Sequence, residues 1–138
     1  MKKFITLLLV LTGMVCMASA ADKKTATVYV KASKQIYIHV WNTTTGGEGE
    51  DDATTSAFDN ALQMSTTTQY GISFYKYDIV YYSSSFSFLV KDVQGSINYG
   101  DNQSADKEGV TGGFYTWDGS WKTPVNEYNS SNSSIQLT

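Results

Sequence analysis

The sequence predicts an all-β fold, an antiparallel β-sandwich of the immunoglobulin-like type with roughly six to eight strands. Tyr, Phe, Ile and Val gather in short segments in which apolar and polar positions alternate. Eleven Gly residues and a single Pro accompany frequent turns between these segments. No segment keeps a helical periodicity over any length. A chain of 138 residues is long enough for one hydrophobic core and too short for two.

The first 20 residues are predicted to be a signal peptide. Lys2 and Lys3 precede an apolar run over residues 4–15, and residues 18–20 (Ala-Ser-Ala) supply the small side chains that a signal peptidase needs. The apolar run is too short to span a bilayer. We therefore expect cleavage after residue 20 and a protein that is secreted or held at the cell surface.

Cys16, the one cysteine of the chain, lies inside this segment. It offers lipid attachment as an alternative, although Val15 before it is bulkier than the Gly, Ala or Ser usual at that place. The mature chain is then expected to lack disulfides, which for an exported domain fits a bacterial product. Its predicted parts are a sandwich domain over residues 21–128 and a polar tail over residues 129–138.

Two alternating segments open the predicted domain. Residues 26–32 place Val28 and Val30 on one face, and residues 35–42 alternate again after the short link Ser33-Lys34. The next predicted elements are a polar acidic loop over residues 43–56, an apolar turn of helix or irregular loop over 58–64, strands over 72–82 and 85–91, a polar loop over 95–109, and a strand over 113–117.

The chain then reaches a predicted turn and a polar end. Asp118-Gly119 stands between aromatic residues, and both types tolerate the positive φ of a tight hairpin turn that would lead to Trp121. Residues 129–138 are rich in Ser and Asn, and residues 135–137 offer a further edge strand.

The strand over residues 35–42 carries the candidate site. Side chains of a strand alternate between its two faces, so one face takes the aliphatic residues Ile36, Ile38 and Val40. The opposite face takes three rings about 7 Å apart: Tyr37, His39 and Trp41. Rings on an outer face expose apolar surface to water, which a sugar would explain because its C–H face packs on flat rings. If the strand is instead covered on both faces, these rings are core residues.

A series of motifs follows the strand along the chain. They are IYIHVWN from residue 36, FDNALQM from 58, YKYDI from 75, INYGDNQSAD from 97 and GGFYTWDG from 112. In their order and spacing the chain resembles the family 26 starch-binding modules, the carbohydrate-binding modules of bacterial amylases and surface starch-utilisation proteins. The resemblance covers residues 26–121. Phe58-Asp59-Asn60 stands where the family has Trp-Pro-Gly, and His39 is a weaker stacking surface than Tyr.

The resemblance implies a β-sandwich that binds starch, an α-1,4-glucan, through aromatic stacking and without catalysis or a cofactor. The sugar-binding residues that it implies are Tyr37, His39 and Trp41, with Asn102 and Gln103 as partners of sugar hydroxyls. Trp117, like Tyr115 and Trp121, is interpreted either as a sugar contact or as a core or hairpin-closing residue. The implied partners are an α-glucan polysaccharide or oligosaccharide and, with it, a secreted amylase or a surface glycan-uptake complex.

The charge of the chain excludes one class of partner. The net charge is −3 and every basic residue is Lys, so the basic face and the Arg forks of a nucleic-acid-binding protein are missing. Side chains with oxygen ligands for calcium cluster twice, and each cluster is interpreted as either a calcium site or a solvated loop. The clusters are Glu48, Glu50, Asp51 and Asp52, and Asp101, Asn102 and Asp106. Their spacing lacks the calcium-loop pattern, which favours solvated loops and no metal.

Catalysis is not expected. A glycosidase needs two carboxylates at a fixed separation in a cleft, whereas nearly all acidic residues here fall in predicted loops. A serine-histidine-aspartate triad would have to use His39, the one histidine of the chain. The alternative function is that of a secreted structural or adhesive surface β-sandwich, which binds protein partners through its edge or its aromatic face. That alternative predicts rings buried at a subunit interface and no retention on starch.

Overall fold

The computed structural model describes residues 22–57, 60–93 and 102–129, so the predicted signal peptide and nearly all of the predicted tail lie outside it. Across these ranges the chain forms strands and no helix, and hence no helix that could cross a membrane. The nine strands are β1 (Lys24–Lys31), β2 (Tyr37–Trp41), β3 (Leu62–Gln63), β4 (Ser65–Gln69), β5 (Ile72–Tyr81), β6 (Phe86–Lys91), β7 (Lys107–Val110), β8 (Gly113–Thr116) and β9 (Asn126–Glu127).

The strands form the two sheets of a β-sandwich, which confirms the predicted fold class. The five-stranded sheet has the order β4-β5-β1-β8-β9, and the four-stranded sheet has the order β3-β2-β6-β7. All pairs are antiparallel except β1 with β8, which run parallel. Because β1 and β2 lie in opposite sheets, the link that contains Ser33-Lys34 carries the chain from one sheet to the other.

The core lies between the inner faces of the two sheets. Val28 and Val30 of β1 are fully buried there, and so are the aliphatic side chains predicted on the inner face of β2: Ile36, Ile38 and Val40. Phe88 and Val90 of β6 meet them from the neighbouring strand. The alternation of apolar residues in the sequence therefore assigned the inner faces of β1 and β2 correctly.

One strand was missed because its residues are polar. β4 has the sequence Ser-Thr-Thr-Thr-Gln and forms the edge of the five-stranded sheet, paired only with β5. The turn between them is Tyr70-Gly71, and both residues have positive φ, 53° and 77°. Two successive residues of positive φ are the signature of a type I′ hairpin turn, whose twist matches that of the strands it joins.

Two other predicted connections differ in the structure. The segment 58–64 holds the short strand β3 and an isolated bridge from Ala57 to Asn60, and its residues 58 and 59 lie outside the described ranges. The predicted loop over residues 95–109 ends in strand β7, which pairs with β6 across a shift in register. The β-propensity of Lys107, Glu108 and Gly109 is low, so the strand forms because it pairs with the neighbouring β6.

The predicted two-residue hairpin at Asp118-Gly119 is wrong. β8 and β9 do pair antiparallel, but residues 117–125 separate them. Asp118 Oδ1 accepts the Ser120 N–H at 2.9 Å and the Thr123 hydroxyl at 2.7 Å. The aspartate therefore closes an Asx turn within a longer loop, and Trp121 lies in that loop with 45% of its surface exposed.

Candidate functional site

A cavity of about 400 Å³ lies on the outer face of the four-stranded sheet. Its sheet residues come from two adjacent strands, His39 and Trp41 from β2 and Leu89 from β6. The loops on either side complete it with Ser56, Gln103 and Asp106. The cavity thus combines rings, an aliphatic side chain and several hydrogen-bonding groups.

Tyr37, His39 and Trp41 form an aromatic stripe on the outer face of β2, and His39 is the most constrained of the three rings. Only 3% of its surface is exposed, and its Nδ1 lies 3.1 Å from Ser56 Oγ. Ser56 Oγ also accepts the backbone N–H of Val40 at 3.0 Å, so its own proton is available for Nδ1. This arrangement favours the tautomer that carries its proton on Nε2.

Burial also determines the charge of His39. Desolvation lowers the pKa of His39 below its ordinary value of 6.5, and the positive charge of Lys91 lowers it further. Lys91 is itself fully buried, at the end of β6. His39 is therefore neutral at pH 7, with one ring nitrogen that donates and one that accepts a hydrogen bond.

The shifted pKa of His39 predicts a pH dependence of stability. Because the unfolded chain takes up the proton more readily than the folded chain, the free energy of unfolding should not depend on His39 well above pH 6.5. It should fall as the pH drops below about 6.5 towards the folded-state pKa. Urea unfolding of the wild type and of His39→Gln between pH 5 and pH 8 measures this, and the variant should show the flatter profile. If the free energies of unfolding of the two proteins changed with pH in parallel, the lowered pKa of His39 would be contradicted.

Gln103 faces the same cavity from the loop beside β6. It is 3% exposed and forms an isolated backbone bridge with Lys91. Its Oε1 is buried without a hydrogen-bond partner, as is His39 Nε2. An unsatisfied buried polar atom costs about 1–3 kcal/mol. A ligand hydroxyl, which both donates and accepts, would satisfy a donor and an acceptor of this kind.

The stripe on β2 is not the open platform that the sequence predicted. Tyr37 and Trp41 are half-buried, whereas His39 is buried, so the expectation that three rings lie open to water is wrong at His39. The five-stranded sheet does not cover the stripe, because it packs against the other face of β2. Of the three rings, His39 and Trp41 line the cavity and Tyr37 does not.

Two further predicted site residues lie apart from the cavity. Trp117 is buried in the hydrophobic core, and its indole Nε1 donates to Thr123 Oγ1 at 3.0 Å. The structure therefore favours the core interpretation for Trp117, and the same holds for Tyr115. Asn102 is half-buried and donates from Nδ2 to Asp92 at 3.3 Å, outside the lining of the cavity.

The sequence did not indicate Leu89 or Ser56 as residues of the site, and it indicated Asp106 only as a member of an acidic cluster. Leu89 could have been found, because alternation in Phe86–Lys91 places it with Ser87 and Lys91 on the outer face of β6. Ser56 and Asp106 lie in irregular segments, where no periodicity indicates the direction of a side chain. Their positions depend on the backbone bonds that hold the loops against the sheet, such as Ser56 N–H to Val40 C=O at 3.3 Å.

Two carboxylates of the acidic loop before Ser56, those of Glu50 and Asp52, are held by hydrogen bonds from the protein. Glu50 is buried and accepts the Thr45 hydroxyl at 2.7 Å, the Thr45 N–H at 3.0 Å and the Gly47 N–H at 2.9 Å. These bonds, the Thr45 hydroxyl foremost, lower the pKa of Glu50. Asp52 accepts from Lys23 at 2.6 Å and from the Tyr82 hydroxyl. The interpretation of this segment as a fully solvated loop is therefore wrong at Glu50.

The Ser56–His39 pair lacks the third member of a catalytic triad among the described residues. Ser56 and His39 are in contact, but the Ser56 hydroxyl is held by the Val40 amide, and His39 Nε2 has no carboxylate partner to orient it. Within the described ranges, no group of three or more His, Cys, Asp or Glu side chains is placed to hold a metal ion. Asp101, one of the predicted acidic cluster, lies outside those ranges.

Comparisons of the chain with protein-family models, with curated proteins and with solved structures gave no match. The resemblance to the family 26 starch-binding modules therefore stays a prediction from the motifs. What the structure adds is the cavity itself and the chemistry of the residues around it.

Proposed function

We propose that the protein is a non-catalytic carbohydrate-binding module that holds an α-1,4-glucan at the cavity on its four-stranded sheet. One observation carries the proposal. The cavity joins the partly buried ring of Trp41 to two buried polar side chains, His39 and Gln103, each of which has an atom without a hydrogen-bond partner. An apolar ring beside a few hydrogen-bonding groups is what a pyranose requires, since it has a C–H face and a rim of hydroxyls.

The mechanism would be stacking on a preorganised surface. Trp41 belongs to β2 and pairs in register with Ser87 of β6, so the backbone that carries the ring loses little conformational freedom on binding. The neutral state of His39 suits an uncharged ligand. A small contact of this kind gives a weak site, with a Kd of about 10 µM to 1 mM. Firm attachment would come from several modules on one polysaccharide or from a partner enzyme.

Affinity electrophoresis tests this proposal. Migration of the purified protein should be retarded by amylopectin or glycogen embedded in the gel and unaffected by a soluble cellulose derivative at the same concentration. The two polymers share glucose and differ in linkage, so their comparison separates specific binding from general slowing by a viscous gel. Free migration in both polymers, or equal retardation by both, would contradict the proposal.

The same proposal includes export. We expect residues 1–20 to be removed and the mature protein to act outside the cell or at its surface, together with a secreted amylase or a glycan-uptake complex. N-terminal sequencing of the protein secreted by an expressing bacterium should begin at Ala21. Retention of the segment, or a lipid on Cys16, would replace this prediction.

A second candidate, a structural or adhesive protein that binds other proteins, is favoured by the five-stranded sheet. Its outer face carries an aromatic cluster in which Tyr29 and Phe114 stack at 4.2 Å, and Tyr70 at the β4–β5 turn is 87% exposed. The edge strand β4 has neither charge nor Pro to discourage pairing with another strand. Self-association in sedimentation experiments, abolished by Thr67→Lys in β4 and accompanied by free migration on starch gels, would favour this candidate.

A further inference from the structure

The cavity occupies only one end of the aromatic stripe. It is lined by His39 and Trp41 but not by Tyr37, so the ladder of three rings that could follow successive sugar units is reduced to one ring and a recess. Its volume of about 400 Å³ is near the lower limit of ligand pockets, roughly 300–1,000 Å³. A site of this size suits a short ligand or the end of a long one.

At the Tyr37 end of the cavity the sheet surface is mostly covered, because Tyr37 is half-buried and the residues beside it are buried. In the register of the sheet, Tyr37 of β2 pairs with Lys91 of β6, and Lys91 forms the bridge with Gln103. Lys91 is fully buried and Gln103 is nearly so. A glucan that ran along β2 from Trp41 towards Tyr37 would have to pass this mostly covered surface.

The segments on the two sides of the cavity are held to the sheet by hydrogen bonds from backbone N–H groups to backbone carbonyls and serine hydroxyls. On one side Ser56 is tied to Val40 in both directions, through its N–H and through its hydroxyl. On the other side the segment that carries Gln103 is tied to β6, where the Ser104 N–H donates to the Val90 C=O at 2.8 Å and Ser104 Oγ accepts the Val90 N–H at 3.0 Å. The recess is therefore built into the sheet and its adjoining segments.

We infer that this site takes the terminal sugar unit of an α-glucan and does not bind along the interior of the chain. The inference rests on the proposed function. A terminal unit enters a recess end-on, while the rest of the glucan leaves into solvent past Trp41. Its hydroxyls would donate to Gln103 Oε1 and accept from His39 Nε2–H, and these are the two residues of the cavity lining that have a buried side-chain atom without a partner. The terminal torsion of Gln103 is broad, so its Oε1 can turn towards a ligand, whereas the His39 ring is held by its contact with Ser56.

Calorimetric titration with linear and cyclic glucans tests the inference. Maltose, maltotriose and linear maltoheptaose should bind with Kd values within about threefold of one another, because only the end is held. The cyclic heptamer has the same linkage and no end, and should bind at least about tenfold more weakly. Equal binding of the cyclic and linear heptamers, or an affinity that rises about tenfold from maltose to maltoheptaose, would overturn the inference. If none of the linear glucans bind, the proposed function itself has failed.

Two further measurements identify which end of the glucan is bound and whether Gln103 accepts a hydrogen bond from it. Maltotriitol has its reducing end opened to an alditol, so binding equal to that of maltotriose assigns the non-reducing end, and loss of binding assigns the reducing end. Gln103→Met, close in size to Gln, should weaken maltotriose binding at least about tenfold. Gln63→Met, at an exposed position of β3, is the matched control and should bind as the wild type does. If Gln103→Met is folded by near-UV circular dichroism and binds normally, the hydrogen-bonding scheme is wrong.

Discussion

Replacing Trp41 with Ala is expected to remove most of the α-glucan binding and to leave a folded protein. Trp41 supplies the aromatic ring of the cavity that remains partly accessible, and truncating a central Trp of a binding site costs 2 kcal/mol or more, about a 30-fold loss of affinity. The ring lies on the outer face of β2, away from the core, so the free energy of unfolding should fall by only about 1 kcal/mol. Affinity electrophoresis and urea unfolding measure the two effects separately.

Trp121→Ala is the matched control for this experiment. Trp121 is exposed in the loop between β8 and β9 and does not line the cavity, so the variant should be retarded by amylopectin as strongly as the wild type. Equal losses in the two variants would indicate general aromatic adhesion. A Trp41→Ala variant that unfolds, or that binds normally, would show that the indole contributes to stability and not to recognition.

The sequence alone was sufficient to predict which side chains of β1 and β2 face the core. In β1 and β2 the aliphatic residues of the inner face alternate with other residues, and Val28, Val30, Ile38 and Val40 are buried as that alternation predicts. Alternation gave no indication of β4, because its Thr side chains are polar and lie at a sheet edge, where they show no apolar period. It also failed for β7, whose pairing depends on β6.

The candidate site was predictable only in part, for a similar reason. Alternation identified the outer face of β2 and hence Trp41 and His39. It could not show that His39 is buried, because the burial depends on segments distant in the sequence. Ser56, which follows 17 residues later, contacts the ring, and Gln103 shares the same cavity. Contacts between distant segments leave no periodic trace, so the sequence indicated an open platform where the structure has a recess.

For Trp117 the sequence left two interpretations open, and the structure favours the core residue over the sugar contact. Its motif placed it among the candidate sugar contacts, yet it is buried against the core and its polar atom is already satisfied by Thr123. A buried Trp needs such a partner for its N–H, and Thr123 also donates to Asp118. The packing of Trp117 in the core and its bond to Thr123 therefore account for this aromatic residue without any ligand.

Ile38→Ala should have the opposite effect to Trp41→Ala. Ile38 is fully buried in the middle of β2 and belongs to the core cluster, so truncating it leaves a cavity that the packed sheets cannot fill. Changes of this kind cost roughly 2–5 kcal/mol, which lowers the Tm by roughly 10–20 °C in a domain of this size. Differential scanning calorimetry measures the loss. Below the unfolding transition, the protein that remains folded should keep most of its affinity for α-glucan.

Ile38→Val provides the graded control, with an expected loss of about 0.5–1.5 kcal/mol because only one methylene is removed. The double variant Ile38→Ala/Trp41→Ala tests whether the two faces of β2 act independently. If one face serves the core and the other the ligand, the two losses of stability should add to within about 0.5 kcal/mol. An Ile38→Ala variant as stable as the wild type would mean that the two faces are reversed, and Trp41 would then belong to the core.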